Sequence, residues 1–454
     1  MAITVNTAGL MASSGFDVQS LADSMIQAAS APEQPWKDQQ TTLSNETTAL
    51  NSLSSDLGAL NTNVESLSDV LGAFTQRVAS SSDDAIVSAS ASSTAAAGQH
   101  TVTVTSLATK AVYYSNNTSM ASGDTQISGG SMTITVGGKS QTINIGGGTN
   151  TLNTIAASIN GLGMGATASV VNTSAGAELA IVSNSTGKAN DITLTTSSDS
   201  ALSFTKSSEG NDAVVNIDGV PTPSASNTIS NVIPGVTLQL NGQHPDSPVT
   251  INVGGNTGAA TQAINNFVSS YNQLTKDINA QFAYNAGTGT SGPLAGDSTV
   301  RMVQEELYQA ISGINVGASG TPTLGSLGIT MNDDGTLSVD SSTLNAALSN
   351  QFSDVQTFFQ DPTQGLATQL QTLMNSLTDT TNGPFTVELQ SISNMQTDLT
   401  NEISDFESRL ADQRQALVAQ LTQANEALQA LPLQEAQINA ELGIMPTSSS
   451  NNSK

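Results

Sequence analysis

Residues 43–74 read LSNETTALNSLSSDLGALNTNVESLSDVLGAF, and their spacing decides the fold class. One apolar set runs Leu43, Leu50, Leu57, Val64, Leu71. An interleaved set runs Leu53, Leu60, Leu67, Phe74, broken only at Glu46. Repetition every seven residues draws a narrow apolar seam on a helix, and such a seam needs a partner helix to bury it. A partner is legible near the other end, where Leu389, Ile392, Leu399, Ile403, Phe406 and Leu410 keep the same rhythm. Both ends are therefore expected to be helical rods. Between them the chain is rich in Gly, Ser and Thr and alternates as strands do.

The 454 residues suffice for roughly three or four domains. Charged residues make up only 11%, and the net charge is −26. The 11 Lys and Arg are spread singly from Lys37 to Lys454. Such a surface repels phosphate, which argues against nucleic acid and anionic membranes as partners. There is no cysteine, so disulfides, thiolate metal sites and Cys nucleophiles are excluded. A chain without thiols also suits export in the unfolded state. The first positive charge is Lys37, and residues 1–16 have no continuous apolar core, so no Sec-type leader is expected. No run of about eighteen apolar residues exists, and no membrane span is expected.

Working outward, Val18, Leu21, Ala22, Met25 and Ile26 form an amphipathic stretch that Pro32 and Pro35 should interrupt. The rod helix is expected from about 37 to 74. From about Val78 the period changes to two, with strands expected at 85–92 and 101–105. Residues 131–136 and 141–145 read as a hairpin turning at Gly137-Gly138. A short helix over 151–160 follows, with Leu152, Ile155, Ala156 and Ile159 on one face, then strands at 167–171 and 178–182. Further strands are expected at 192–195, 214–217, 236–240 and 249–253, with turns at Asp218-Gly219 and Asn241-Gly242.

Helix returns near Ala260, carrying Ile264, Phe267, Val268, Tyr271, Leu274 and Ile278. Asp297 or Ser298 should cap a helix through Val300, Val303, Leu307 and Ile311. Residues 329–339 look like a hairpin around Asn332-Asp333-Asp334-Gly335. Asp340 or Ser341 should cap one helix carrying Leu344, Leu348, Val355 and Phe359. The C-terminal rod is less regular. Gln396 and Gln413 sit at seam positions, and beyond Leu410 the pattern shifts to Leu417, Leu421, Leu428 and Leu431, as in a stutter. Pro432 should kink or end the helix before a second segment through Ile438 and Leu442, and residues 446–454 read as a disordered tail.

Catalytic and metal readings fare poorly. His244 with Asp246 and nearby serines suggests a triad only on paper, and a loop beside Pro245 is the plainer account. Asn332-Asp333-Asp334-Gly335 with Asp340 lacks the alternating ligands and terminal Glu of a calcium loop, and reads as a turn. Gly161-Leu162-Gly163-Met164-Gly165 follows a helix and precedes a strand, the wrong order for a dinucleotide loop. No catalytic residue, metal site or cofactor is expected, and enzyme activity is not.

The stretches at 15–21, 74–83, 292–301 and 327–340 together resemble those of the bacterial flagellar filament-capping family, also called flagellar hook-associated protein 2 or FliD-type caps. Gly15-Phe16-Asp17-Val18-Gln19-Ser20-Leu21 is similar to the family's near-N-terminal Gly-Leu-Asp-Val pattern, with Phe16 in place of Leu. Phe74-Thr75-Gln76-Arg77 followed by Ala79-Ser80-Ser81-Ser82-Asp83 resembles its first helix-to-strand junction. Gly292-Pro293-Leu294-Ala295-Gly296-Asp297-Ser298-Thr299-Val300-Arg301 is the most specific match, which makes Gly296, Asp297, Ser298 and Arg301 the family-motif residues. Leu327-Gly328-Ile329 with Asp334-Gly335-Thr336-Leu337-Ser338 and Asp340 is nearly as good, and residues 131–183 are similar to the flagellin-hook IN motif. The likeness is weakest between about 184 and 230.

The resemblance implies a homo-oligomeric ring, pentamer-like in the family, seated on the growing filament tip. It retains exported flagellin and promotes its polymerisation, which filament assembly and motility require. It also implies neighbouring hook–filament junction proteins and export through the flagellar type III apparatus without a cleaved leader. A cytoplasmic export chaperone holds the C-terminal helices beforehand. Some family members adhere to mucin or host surfaces, and no motif here marks that trait. Two other readings stay open: a different rod-type hook-associated junction protein, and a surface adhesin acting through the β-rich head.

The expected fold is α+β and multidomain. Residues 1–40 form a partly disordered helical segment, and 41–77 plus 256–410 a helical leg with a small hairpin. Residues 78–107 plus 209–255 form a β-rich head, 108–208 a second head inserted into it, and 411–454 a C-terminal helical segment with its tail. Candidate rod or oligomer contacts are Leu43, Leu50, Leu53, Leu57, Leu60, Val64, Leu67, Leu389, Ile392, Leu399, Ile403, Phe406 and Leu410. The seam packs either within the chain as an antiparallel pair or between subunits. Candidate filament and export-chaperone contacts are Leu417, Leu421, Leu428, Leu431, Ile438 and Leu442, because 1–40 and 411–454 have no evident internal partner. Gln396 and Gln413 weaken the seam, which suits a cap that steps as subunits insert, so leucine at both should stiffen the rod.

Overall fold

The computed structural model describes residues 16–116, 120–146, 150–287, 289–313 and 322–442. Gly15 and the tail at 446–454 lie outside them. In chain order the described helices are α1 (Val18–Ala29), α2 (Glu33–Ser68), α3 (Leu152–Gly161), α4 (Thr257–Phe282), α5 (Ser298–Ser312), α6 (Ser341–Asn350), α7 (Phe352–Gln360), α8 (Leu366–Leu377) and α9 (Pro384–Glu441). With several antiparallel sheets, the chain is α+β and multidomain. It divides into two compact units. One holds the described residues up to Glu65, Asn266–Val339 and those from Pro362 onward; the other holds Ser66–Asn265 and Asp340–Asp361.

The first unit is mainly helical. Asp17 caps α1 by accepting from the Gln19 and Ser20 amides. Pro35 falls in the first turn of α2, where its missing N–H costs nothing. Strands Ile329–Met331 and Leu337–Val339 form the expected hairpin. Helix α8 was not anticipated, although Leu366, Leu370, Met374 and Leu377 bury one helical face. α9 runs unbroken through Pro432 to Glu441, against the expectation of a kink or stop. Leu431 and Leu433 are exposed, so water can take the carbonyl that proline leaves without a donor.

The second unit is β-rich. A five-stranded antiparallel sheet runs Arg77–Ser81, Val249–Gly255, Gly98–Ser106, Ala213–Ile217, Val220–Ser224, and a three-stranded one runs Thr228–Ser230, Val236–Leu240, Val87–Ala91. Alternate side chains such as Val102, Val104, Val215, Leu238 and Ile251 meet in one core. Asp218 and Gly219, both at positive φ, close the hairpin Ile217↔Val220. That register makes Val220 and Thr222 the bonded positions, so Pro221 and Pro223 point their nitrogens off the sheet edge.

A second core gathers Met132, Ile134, Leu152, Ile155, Leu179 and Ile181. The expected strand–strand–helix–strand–strand run is present, but its hairpins join different sheets. Ser131–Val136 lies between Lys139–Asn144, which it meets by turning at Gly137 and Gly138, both at positive φ, and Ile192–Thr196. Ala166–Thr173 and Gly176–Ser183 instead belong to a sheet ordered Phe204–Ser208, Val112–Ser115, Gly176–Ser183, Ala166–Thr173. α3, capped by Thr151, lays Leu152, Ile155 and Ile159 into the shared core.

Two borders differ from expectation. α2 stops at Ser68 rather than 74, because Asp69 turns the chain: its carboxylate accepts from the Leu71 amide at 2.8 Å and its carbonyl from Gly72. Leu71 is consequently 79% exposed and leaves the seam. Phe74 instead stacks on Phe359 at 5.2 Å and meets Phe352 edge-on. The single helix expected after Asp340 is two, α6 and α7, parted at Gln351 (φ −137°, ψ 38°). Those aromatic contacts lie within the compact unit that holds Ser66–Asn265 and Asp340–Asp361.

Candidate functional site

The seam of α2 is buried inside the single chain. Leu43, Leu50, Leu53, Leu57, Leu60, Val64 and Leu67 are all at most 6% exposed. On α9, Ile392, Leu399, Ile403 and Leu410 are buried, while Leu389 and Phe406 are half-buried. Cross-contacts fix an antiparallel pairing: Gln40 Nε2 donates to Thr400 Oγ1 at 3.1 Å, and Gln396 Nε2 to Thr47 Oγ1 at 3.4 Å. Trp36 meets the Phe406 ring edge-on, with centroids 5.2 Å apart. Within one chain, then, the seam packs as an antiparallel pair, one of the two arrangements considered from sequence. Gln396 lies in the seam, whereas Gln413 is exposed.

α1 lies along α9 as well. Arg414 Nε donates to Asp23 Oδ1 at 2.6 Å, and its Nη2 to Gln19 Oε1 at 3.0 Å; the Asp23 contact raises the guanidinium pKa further. Lys37 pairs with Glu33 and, at 3.7 Å, with Glu407. The Lys37 hydrogen bond holds Glu33 below the usual carboxylate range. Past Arg414 the cover runs out. Leu417 and Leu421 are half-buried, whereas Leu428 is 46%, Leu431 55%, Leu433 73%, Ile438 53% and Leu442 67% exposed. About the last four turns of α9, from Leu428 onward, thus carry an apolar series that nothing among the described residues covers.

Two acidic clusters in this unit escaped the sequence reading. Burial, and then the adjacent Asp277, push the Asp56 carboxyl up to about 6; Asp56 Oδ2 is covered and accepts no strong donor. Glu46, the residue that interrupts the seam pattern, is raised by burial and then by Asp297 and Glu388. Neither cluster has a spacing that sequence could show.

The motif 292–301 proves to be a capping device. Leu294 is buried, and the Asp297 carboxylate accepts from the Thr299 and Val300 amides at 2.7 and 3.1 Å to start α5 at Ser298. Arg301 lies over the Phe282 ring, 5.0 Å from its centroid. Gly292 is fixed by space, since a Cβ there would sit 2.5 Å from the Gln281 carbonyl oxygen, whereas Gly296 faces open room. Elsewhere His244 stays a loop residue, and the described residues hold no group of three metal-ligating side chains.

Two profiles of one family match: the flagellar hook-associated protein 2 N-terminus over residues 14–111, and its C-terminus over 210–431. The chain belongs to the flagellar hook-associated protein 2 family. It is 27% identical over 437 residues to the B-type flagellar hook-associated protein 2 of Pseudomonas aeruginosa, covering 88% of this chain and 90% of that one. Against the Aeromonas caviae hook-associated protein 2 it is 26% identical, with 95% and 98% covered. The crystal structure of the Escherichia coli flagellar cap protein FliD, domains D1-D2-D3, superposes with a TM-score of 0.51 at 28% identity, covering 76% of this chain and 99% of that chain. These relatives are named as flagellar cap or hook-associated proteins, not as enzymes. The family profiles stop at 111 and resume at 210, and the second β core, Ala111 to Leu202, fills the interval between them.

Proposed function

We propose that this chain is the structural cap at the distal end of a bacterial flagellar filament, retaining exported flagellin and promoting its polymerisation. It acts as a homo-oligomer and leaves the cell through the flagellar type III apparatus without leader cleavage. One observation carries the reading beyond family membership: the exposed apolar series from Leu428 to Leu442, along the end of α9, which no other described residue covers. Apolar surface so arranged suits successive partners, an export chaperone inside the cell and then the filament tip or a neighbouring subunit. Leu417, Leu421, Leu428, Leu431, Ile438 and Leu442 are its contacts in this reading. The domain borders at 78, 108, 208 and 255 belong to the same proposal, supported by the two separate β cores.

The test is deletion of the chain followed by assay of the medium. Monomeric flagellin outside the cell, with filaments short or absent, is the expected result, and complementation by a variant carrying Ser at 428, 431 and 438 should fail. Filaments of normal length without the chain would end the proposal. A surface adhesin without a filament role would leave filament length and swimming untouched.

A further inference from the structure

The helical unit contains a cavity of about 550 Å³ between α4, α5 and the turn of the 329–339 hairpin. That size lies within the range of ordinary ligand pockets. Its floor is apolar, made by the buried Ile278 and Leu307. Its wall is preformed: Asn279 Nδ2 donates to the Asp334 carbonyl at 2.8 Å, while Asn279 Oδ1 accepts from Gln304 Nε2 at 2.8 Å. Two carboxylates and one aromatic ring stand at the mouth.

Asp334 is not one of those carboxylates. Its carboxyl turns back to accept from the Thr336 hydroxyl and amide, which hold it below the usual range. Asp333 and Glu305 face outward, and among the described residues neither is ion-paired; Glu305 accepts only from Gln309. Tyr308, 47% exposed, completes the rim.

We propose that this cavity receives a lysine or arginine side chain presented by a segment of a partner protein. The guest's methylene stem lies on Ile278 and Leu307, and its cationic head sits between Glu305 and Asp333 against the Tyr308 face. The two rim carboxylates and the chain's net charge of −26 exclude an anionic guest. The apolar floor argues against a bare metal ion, which would need oxygen ligands on every side. This inference does not depend on the capping role: it concerns a pocket on other helices, and its readout is binding rather than assembly.

The experiment is ligand-observed saturation-transfer NMR on the full chain with three capped tripeptides, Ac-Ala-Arg-Ala-NH2 and its norleucine and glutamate counterparts. The arginine peptide should bind saturably, more weakly as salt rises, and at least about tenfold tighter than the norleucine peptide. The double variant Glu305→Gln/Asp333→Asn should lose that advantage while keeping the wild-type circular dichroism. Tyr308→Phe should retain it and Tyr308→Ala reduce it. Equal binding of the arginine and norleucine peptides, an undiminished double variant, or no saturation up to about 10 mM would overturn the assignment. Spermidine competing better than the arginine peptide would mean a small-molecule site, and would overturn the protein partner.

Discussion

Replacing Asp56 by Asn should stabilise the helical unit at neutral pH and leave it unchanged in acid. Asp56 on α2 faces Asp277 on α4, and burial plus that neighbour lift its carboxyl from 3.8 to about 6. A carboxyl whose folded pKa stands above its unfolded value binds its proton more tightly in the native state. The associated stability is present below about pH 4 and is lost as pH rises through about 6. At about 1.36 kcal/mol per pH unit, the upper limit is about 3 kcal/mol. Asp56 is only half-buried, and screening by water cuts the expected effect to about 1 kcal/mol. Trp36, the sole tryptophan, lies in the same unit against Phe406 and reports its unfolding locally. Urea titrations followed by Trp36 fluorescence should place D56N above wild type by about 1 kcal/mol near pH 8 and level with it at about pH 3.5. The same gap at both pH values, or a less stable Asn variant near pH 8, would refute the argument.

Other substitutions probe separate features. Gly292→Ala should cost about 2 kcal/mol in the same titration, because the added Cβ meets the Gln281 carbonyl and the backbone must shift. Asp297→Ala should cost about 1 kcal/mol and speed amide exchange in the first turn of α5 alone, since only that turn loses its cap. Arg414→Gln should speed exchange across α1 and spare the centre of α2, as its side chain ties α1 to α9. Gln396→Leu should raise the unit's urea midpoint while shortening filaments or slowing swimming; wild-type motility would count against a seam that must loosen to step.

Features set by short-range chemistry were legible in the sequence. The seam residues, the Gly137-Gly138 and Asp218-Gly219 turns and the Asp297 and Asp340 caps each depend on a few neighbouring residues. Features set by distant partners were not. Leu71 and Phe74 continue the heptad on paper, but the Asp69 turn and the rings of Phe352 and Phe359 draw the chain away. α8 was legible in principle from Leu366, Leu370, Met374 and Leu377, and was passed over between two stronger patterns. Pro432 obeyed its local rule in expectation only, because an exposed helix can leave a carbonyl to water. The uncovered apolar end of α9 was legible in the sequence, whereas the packing of α1 on α9 through Asp23 and Arg414 was not, because those two residues lie far apart along the chain. Asp56 and Asp277 lie more than two hundred positions apart, beyond the reach of any pattern along the chain.

Pro221 and Pro223 have a consequence for the proposed homo-oligomeric cap, whose copies would stand close together. The outer strand they occupy presents carbonyl oxygens but no amide hydrogens at those two sites. A foreign strand arriving there finds half of its ladder unanswered. Molecules gathered at high density can therefore touch along this rim without zipping into fibres.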